Sequence, residues 1–450
     1  MKSIIIGAGK MGFSIAQLLS NENHDVVIID NNEERINLIE EVLDVQVIAG
    51  TGSSWKVLES AGVQNADMLV AVTEVDELNM ISCLIAKQYG VKTTIARVRG
   101  TEYFEQTKFS LADLLGIDLI INPEMVTAYE ILNIIKNPEA INVDYYSDHK
   151  VQLVEFYIKN DSPIVNYRIK QLDTSKYVIL TIVHNNRMIV PAGEDILRGG
   201  DYVYVITKTE DMREVMKSLG IVPRKIDNVT ILGAGRTGYY LAKLLEKEKK
   251  IIGIKVIEKD IRRAKEISGL LTHSLVINGD GADPDLLINE NIGRSDIYIA
   301  VTDDDKVNLL SSLIAKNLGV LKTIAKVKRA DIMPLMEQIG IDVVLNPRML
   351  TAGAILKYIR HGDIVSVKLL GNEKAEIIEI KAQPGSIVAN KQLQNIRFPG
   401  GSVVGAIVRD GKVTIPSGYS EILANDLVMV FTLPESINKV EKLFISGDKH

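Results

Sequence analysis

The residues best placed to do chemistry are Gly7, Gly9 and Gly12, in the run SIIIGAGKMGFSIAQLL of residues 3 to 19. Apolar residues precede this G-x-G-x-x-G and a helix-patterned tail follows, so it reads as a βα turn that cradles a phosphate. Gly7 allows the tight turn off the strand, Gly9 lets a pyrophosphate approach bare backbone, and Gly12 lets helix and strand pack closely. The helix then aims its free N–H groups and the positive end of its dipole at the anion. Asp30 closes the run HDVVIID, 23 residues beyond Gly7, where a carboxylate accepts from the ribose hydroxyls of an adenosine. No arginine directly follows it, which favours NAD or another unphosphorylated ribose over NADP.

In a doubly wound sheet, ligand contacts collect at the carboxyl ends of the strands. That rule adds Ala8, Lys10 and Met11 of the turn, Lys10 bringing a charge to the phosphates. Thr51 and Gly52 follow the third strand and either meet the adenine or close the turn. Thr73 and Glu74 follow the fourth, with Thr73 expected also to cap the next helix. Arg97 on the fifth strand faces the phosphates or forms a surface ion pair. A catalytic or metal-binding set is missing. The six histidines, at 24, 149, 184, 273, 361 and 450, are scattered, and none sits where both halves of the chain place a partner acid. Cys83 lies mid-helix and reads as core. Tyr239 and Lys243 have a reductase-like YxxxK spacing, but inside the helix of a glycine turn, so they read as a helix face.

The elements that position these residues are written twice. The run NVTILGAGRTGYYLAKLL restarts the pattern at Asn228, matching the three glycines with Gly233, Gly235 and Gly238. AVTEVDELNMISCLIAK (71–87) pairs with AVTDDDKVNLLSSLIAK (300–316), and INPEMVTAYEIL (121–132) with LNPRMLTAGAIL (345–356). The second half therefore offers Gly233, Ala234, Gly235, Arg236 and Thr237, then Glu258, Asp280 with Gly281, Thr302 with Asp303, and Lys326. Lys259 directly follows Glu258, and Asp280 stands where Thr51 does, so the two halves need not prefer the same nucleotide.

Strands are expected at 3–6, 25–30, 45–49, 68–72, 94–98 and 119–121. Helices separate them, for example 76–89 with an inward stripe of Leu78, Ile81, Cys83, Leu84 and Ile85. Such alternation makes a parallel, doubly wound sheet. After each of these lobes, short β-rich runs split by Asn-Asn and Gly-Gly turns take over, with a helix at 210–219 and a shared P-x-G at Pro191/Gly193 and Pro416/Gly418. The fold class is α/β, a tandem duplication of a Rossmann-like lobe followed by a small α+β lobe, with domains at 1–136, 140–222, 227–360 and 363–447.

Composition narrows the function. A formal charge of −6 without a basic face argues against nucleic acid as a partner. The single cysteine allows no internal disulfide and suits a reducing cytoplasm. No apolar run approaches the ~20 residues that span a bilayer, so a membrane role would run through a partner.

The paired GAGKMG and GAGRTG turns, the acid after the second strand, the AVT-x-x-D-x-x-N segments and the P-x-G lobes together resemble the TrkA family. These are peripheral regulatory subunits of Trk-type potassium uptake systems, built of two tandem RCK (regulator of K+ conductance) units. The resemblance covers essentially all 450 residues. It implies a non-enzymatic cytosolic gating ring, a homotetramer that switches with bound NAD(H), ATP or ADP. The ring would dock on an integral membrane, TrkH/TrkG-like potassium-translocating subunit at the inner face of the cell membrane. Family nucleotide contacts would fall on residues 7–11, Asp30, Thr73, Glu74 and Arg97, and on 233–237, Glu258, Thr302, Asp303 and Lys326. Lys10 stands where the family often has Arg. Two other readings share the turn: an NAD-dependent dehydrogenase, which needs a titratable residue facing the nicotinamide, and a nucleotide-sensing regulator with no transporter.

Overall fold

Ile4, Ile5 and Ile6 are all buried, as expected where both faces of a strand are covered, and they form β1 (Lys2–Ile6) inside a parallel sheet. The computed structural model describes residues 1–21, 24–100, 103, 110–147, 149–184, 187–222, 224–248, 251–359, 364–370 and 375–446. His361 and His450 of the histidine set lie outside these.

The first lobe continues through α1 (Lys10–Asn21), β2 (Asp25–Asp30), α2 (Glu33–Val42), β3 (Gln46–Ala49), α3 (Trp55–Ser60), β4 (Met68–Ala71) and α4 (Asp76–Gln88). It closes with β5 (Thr93–Arg97), α5 (Leu111–Leu115), β6 (Leu119–Ile121) and α6 (Pro123–Lys136). The sheet order is β3-β2-β1-β4-β5-β6, whose reversal between β1 and β4 opens a crevice at the strands' carboxyl ends. Alternate side chains feed separate cores: Ile4 and Ile6 join Val27 and Ile29, while Ile5 joins Val26 and Ile28.

A small lobe follows, with β7 (Asn142–Tyr146), β8 (Val151–Tyr157), β9 (Tyr177–His184), β10 (Arg187–Ile189), β11 (Tyr202–Lys208) and α7 (Met212–Ser218). The sheet lobe then recurs as β12 (Asn228–Leu232), α8 (Arg236–Glu246), β13 (Gly253–Glu258), α9 (Ile261–Leu270), β14 (Ser274–Asn278), α10 (Pro284–Asn289) and β15 (Ile297–Ala300). It ends with α11 (Asp305–Asn317), β16 (Lys322–Lys326), α12 (Met333–Ile339), β17 (Val343–Leu345) and α13 (Pro347–Ile359), in the matching order β14-β13-β12-β15-β16-β17. The second small lobe comprises β18 (Ile364–Leu370), β19 (Ala375–Lys381), β20 (Lys391–Gln392), β21 (Ser402–Arg409), β22 (Lys412–Thr414), β23 (Glu421–Ile422), β24 (Leu427–Thr432) and α14 (Ile437–Phe444).

The chain gathers like with like. Met1–Leu132 and Asp227–Ile359 form one compact unit, and the two small lobes form another. In the first unit, Ala352 and Ile355 of α13 are buried in the core of the first sheet lobe, alongside Ile15 and Leu19 of α1. Tyr358 donates from its hydroxyl to the Asp118 carbonyl at 3.1 Å. In the second unit, Leu153, Leu180 and Ile206 share a core with Ile377, Met429 and Phe431.

One expectation is corrected within α4. Ile81 and Leu84 are exposed, and the buried face is Asn79, Met80, Ser82, Cys83 and Ala86. An asparagine takes an inward position because it has backbone groups to hold, as the site shows. The helix expected at 210–219 is a 3₁₀ turn at Thr209–Asp211 running into α7.

Candidate functional site

The glycines of the first turn do three different jobs. Gly7 has φ +107°, and an added Cβ would press on Thr73, 3.1 Å from its Cγ2. At Gly12 a Cβ would lie 1.8 Å from the Gly7 carbonyl oxygen, so α1 can pack this close only on glycine. Gly9 has no positive φ, and beyond its own chain neighbours no protein atom lies within 4 Å of where a Cβ would sit. Nothing inside the protein demands glycine there, and bare backbone is left facing open space. Gly233, Gly235 and Gly238 repeat all three conditions.

The acid at the end of β2 holds this turn. Asp30 is 7% exposed and accepts from the Ala8 amide at 2.6 Å and the Asn32 amide at 2.8 Å. Glu258 does the same for Ala234 and Asp260, at 2.8 and 2.9 Å. A carboxylate oxygen has a second lone pair, so a hydroxyl can still donate to either acid.

A cavity of about 980 Å³ opens over the carboxyl ends of the first sheet. Every first-half candidate lines it: Gly7, Ala8, Gly9, Lys10, Met11, Asp30, Thr51, Gly52, Thr73, Glu74 and Arg97. Thr237, Asp303 and Lys326 of the second half line the same cavity, so the two sets meet instead of staying apart. Gly233, Ala234, Gly235, Arg236, Glu258, Asp280, Gly281 and Thr302 do not line it. Among these, Asp280 pairs with Lys259 at 2.7 Å. Gly281 is dictated by packing, since a Cβ would come within 2.2 Å of Leu232. Gly52 is constrained alike by Ile6, also at 2.2 Å.

Thr73 does not cap α4, whose N-cap is Val75. It sits two residues too early and bonds instead to Asn79, its hydroxyl 2.7 Å and its amide 2.9 Å from the Asn79 Oδ1. The Asn79 Nδ2 donates to the Thr73 and Arg97 carbonyls at 3.0 and 2.8 Å. One fully buried amide thus ties β4 to β5 at the cavity floor. Asn308 repeats the pattern on Thr302 and Lys326. Sequence reasoning assigned these asparagines no role, although both close the duplicated AVT-x-x-D-x-x-N signature.

Arg97 forms no ion pair among the described contacts. Its Nη1 donates to the Thr73 carbonyl at 3.1 Å, and its buried Nε has no partner. Burial, then the neighbouring Arg99, lowers its pKa from the ordinary arginine value. Arg99, Glu124, Lys328 and Arg348 also line the cavity and were not foreseen. Arg99 grips Glu124 through Nε and Nη2, at 2.8 and 2.5 Å. Glu124 and Arg348 occupy matching places in the Asn-Pro starts of α6 and α13, where Asn122 and Asn346 cap the helices.

The cavity lining holds no histidine, cysteine or tyrosine. Cys83 is buried core, and burial pushes its thiol well above the ordinary range. Lys243 donates to the Leu270 carbonyl and lies over the Tyr239 ring, so this pair is a helix face. One histidine expectation is corrected: His184 Nδ1 lies 2.5 Å from buried Asp201, at a place where the second small lobe sets Arg409 on Asp426. Both halves do keep an acid there, but it joins strands in the small lobes, outside the cavity lining. Among the described residues no group of His, Cys, Asp and Glu could hold a metal ion, and no helix is long and apolar enough to cross a membrane.

Known proteins match this chain over nearly its whole length. Residues 3–123 and 229–347 match the TrkA-N domain, and 153–220 and 377–445 the TrkA-C domain. The chain belongs to the TrkA family. A Trk system potassium uptake protein TrkA homolog from Methanosarcina mazei is 38% identical over 99% of this chain and its own full length. The Trk system potassium uptake protein TrkA of Halomonas elongata is 34% identical over 99% of both. The GsuK channel covers 98% of this chain, which spans 78% of it, with a TM-score of 0.64 at 17% identity. That likeness shows the fold, and the same channel has been solved bound to NAD. Membership makes this chain a regulatory protein of Trk potassium uptake and not an enzyme.

Proposed function

We propose that the protein is a cytosolic, nucleotide-operated gating subunit of a potassium transporter. An adenine nucleotide, NAD(H), ATP or ADP, binds over the first glycine turn, and its unequal affinity for two conformations of a homotetrameric ring shifts a TrkH/TrkG-like membrane subunit between states. The observation that carries the reading is Gly9, bare backbone in a large cavity at a position where neither packing nor backbone angle asks for glycine. Asp30 is 22 residues from the amide it braces and still has lone pairs for a ribose. The second turn has the same backbone provisions, and its Glu258 and Arg236 would serve a second nucleotide.

The test is calorimetric titration with NADH, NAD, ATP and ADP of wild type, Asp30→Ala and Glu258→Ala. The reading expects Asp30→Ala to abolish one class of sites and Glu258→Ala the other. Absence of binding to wild type would reduce both turns to scaffold. Co-purification with an integral membrane protein separates a transporter subunit from a regulator that acts alone.

A further inference from the structure

The duplicated P-x-G of the small lobes plays no part in the nucleotide reading, yet each copy sits on a strap that ends at a buried acid. In the first small lobe the strap runs from Pro191 to Asp201 and lies against residues 166–170. The Asn166 and Ile169 amides donate to the Leu197 and Asp195 carbonyls, at 2.8 and 2.9 Å, and the Lys170 amide donates to that of Gly193 at 2.9 Å. Leu197, fully buried, pins the strap in the lobe's core.

The root of the strap is one carboxylate. Asp201 is 1% exposed and accepts from the Arg198 amide through Oδ2 at 2.8 Å, while its Oδ1 meets Nδ1 of His184 at the end of β9. The second small lobe roots the equivalent strap on Asp426, which takes the Leu423 amide at 2.7 Å and a two-pronged bond from Arg409 Nε and Nη2 at 2.8 and 2.7 Å. One lobe thus uses a side chain that stays charged. The other uses a ring whose charge changes between about pH 5 and 8.

A cation reaches the same ring from its far side, since Arg198 Nη1 lies 3.4 Å from His184 Nε2. A guanidinium can only donate, so Nε2 must offer a lone pair, and the ring's proton then sits on Nδ1 and is given to Asp201. A neutral ring serves both partners. A second proton turns Nε2 into a donor facing a cation, which strengthens the Asp201 contact and makes the Arg198 contact repulsive. The adjoining strands place Arg187 of β10, a further cation, in register with His184, and Tyr202 of β11 in register with Val183 and edge-on to Tyr157 of β8.

We propose that His184 is a pH-operated switch at the root of the first small lobe's strap. Neutral, it holds Asp201 and Arg198 together; charged, it keeps Asp201 and sheds Arg198. The second small lobe, with Arg409 in the matching place, has no such response, so acidification acts on one half of the small-lobe unit alone.

The test is hydrogen–deuterium exchange of the full chain at pH 8 and pH 5.5, read on residues 195–203 in wild type and Arg198→Gln, and again with His184→Arg added to both. Comparing variant with parent at one pH cancels the intrinsic pH dependence of exchange. Arg409 shows that the fold accommodates arginine at this place. On the native background, Arg198→Gln should speed exchange by about twofold or more at pH 8, where it removes a bond, and slow it by a similar factor at pH 5.5, where it removes a repulsion. With His184→Arg the place holds a permanent charge, and Arg198→Gln should slow exchange at both pH values. The switch is overturned if Arg198→Gln acts in the same direction at both pH values on the native background, as a merely structural arginine would, or if the reversal persists with His184→Arg.

Discussion

The two sheet lobes share one scaffold and differ at the rim. Each has the open middle glycine, the acid bonded back to its own turn, the inward asparagine tying two strands, and the Asn-Pro start of its last helix. The rim positions have diverged: Asn31 against Lys259, Thr51 against Asp280, Arg99 against Lys328, Glu124 against Arg348. Scaffold residues answer to backbone geometry, which the duplication inherited unchanged. The rim residues named here are not held by that backbone geometry, and there the lobes have parted.

If this division is right, matched scaffold substitutions should cost the same in both lobes and rim substitutions should not. The largest effect should come from Gly12→Ala and Gly238→Ala. Each added methyl overlaps a backbone carbonyl at 1.8 or 1.9 Å, and relief requires moving a helix. Losses of about 3 kcal/mol or more are expected in urea unfolding. A mild effect in one lobe alone would break the comparison.

Next come Asn79→Ala and Asn308→Ala, which strip partners from a half-buried threonine amide and two carbonyls. About 2 kcal/mol each is expected by the same measurement. Unequal values would mean that one lobe's floor is braced by something else.

A smaller effect belongs to Glu246, present only in the second lobe, where the first has Ser20. Burial raises its pKa, but amides and hydroxyls of Thr272, His273 and Ser274 outweigh this and leave it below the usual glutamate value. A lowered folded-state pKa stabilises above the unfolded value and loses that contribution as pH falls through the folded one. Glu246→Gln should therefore cost about 1 kcal/mol at neutral pH. The deficit should shrink below about pH 4, followed by chemical denaturation across pH.

Smallest of all is Asp280→Thr, which restores the first lobe's residue and removes the exposed pair with Lys259. No measurable change in stability is expected. A change in nucleotide binding without one in melting would mark this pair as a ligand contact.

The strands were legible because a parallel sheet covered on both faces leaves unbroken apolar runs, and five of six first-lobe strands needed at most one residue's correction at an end. The glycine turn was legible because its constraints are local. Asn79 was not, since a polar residue on an apolar helix reads as surface until its partners on β4 and β5 are known. Lys328 and Arg348 were hidden for a different reason. Their meaning depends on the two crevices converging, and no spacing within either half encodes which lobes associate.

The burial of Ala352 and Ile355 in the first lobe's core also sets an order in time. A ribosome finishes the strands and turn of the first lobe long before it reaches α13, so the apolar seat beside α1 must wait uncovered while a small lobe and most of the second sheet emerge. The first half then cannot reach its final stability alone. A chain cut between the halves would leave a protein with a correct nucleotide turn and an open, adhesive flank.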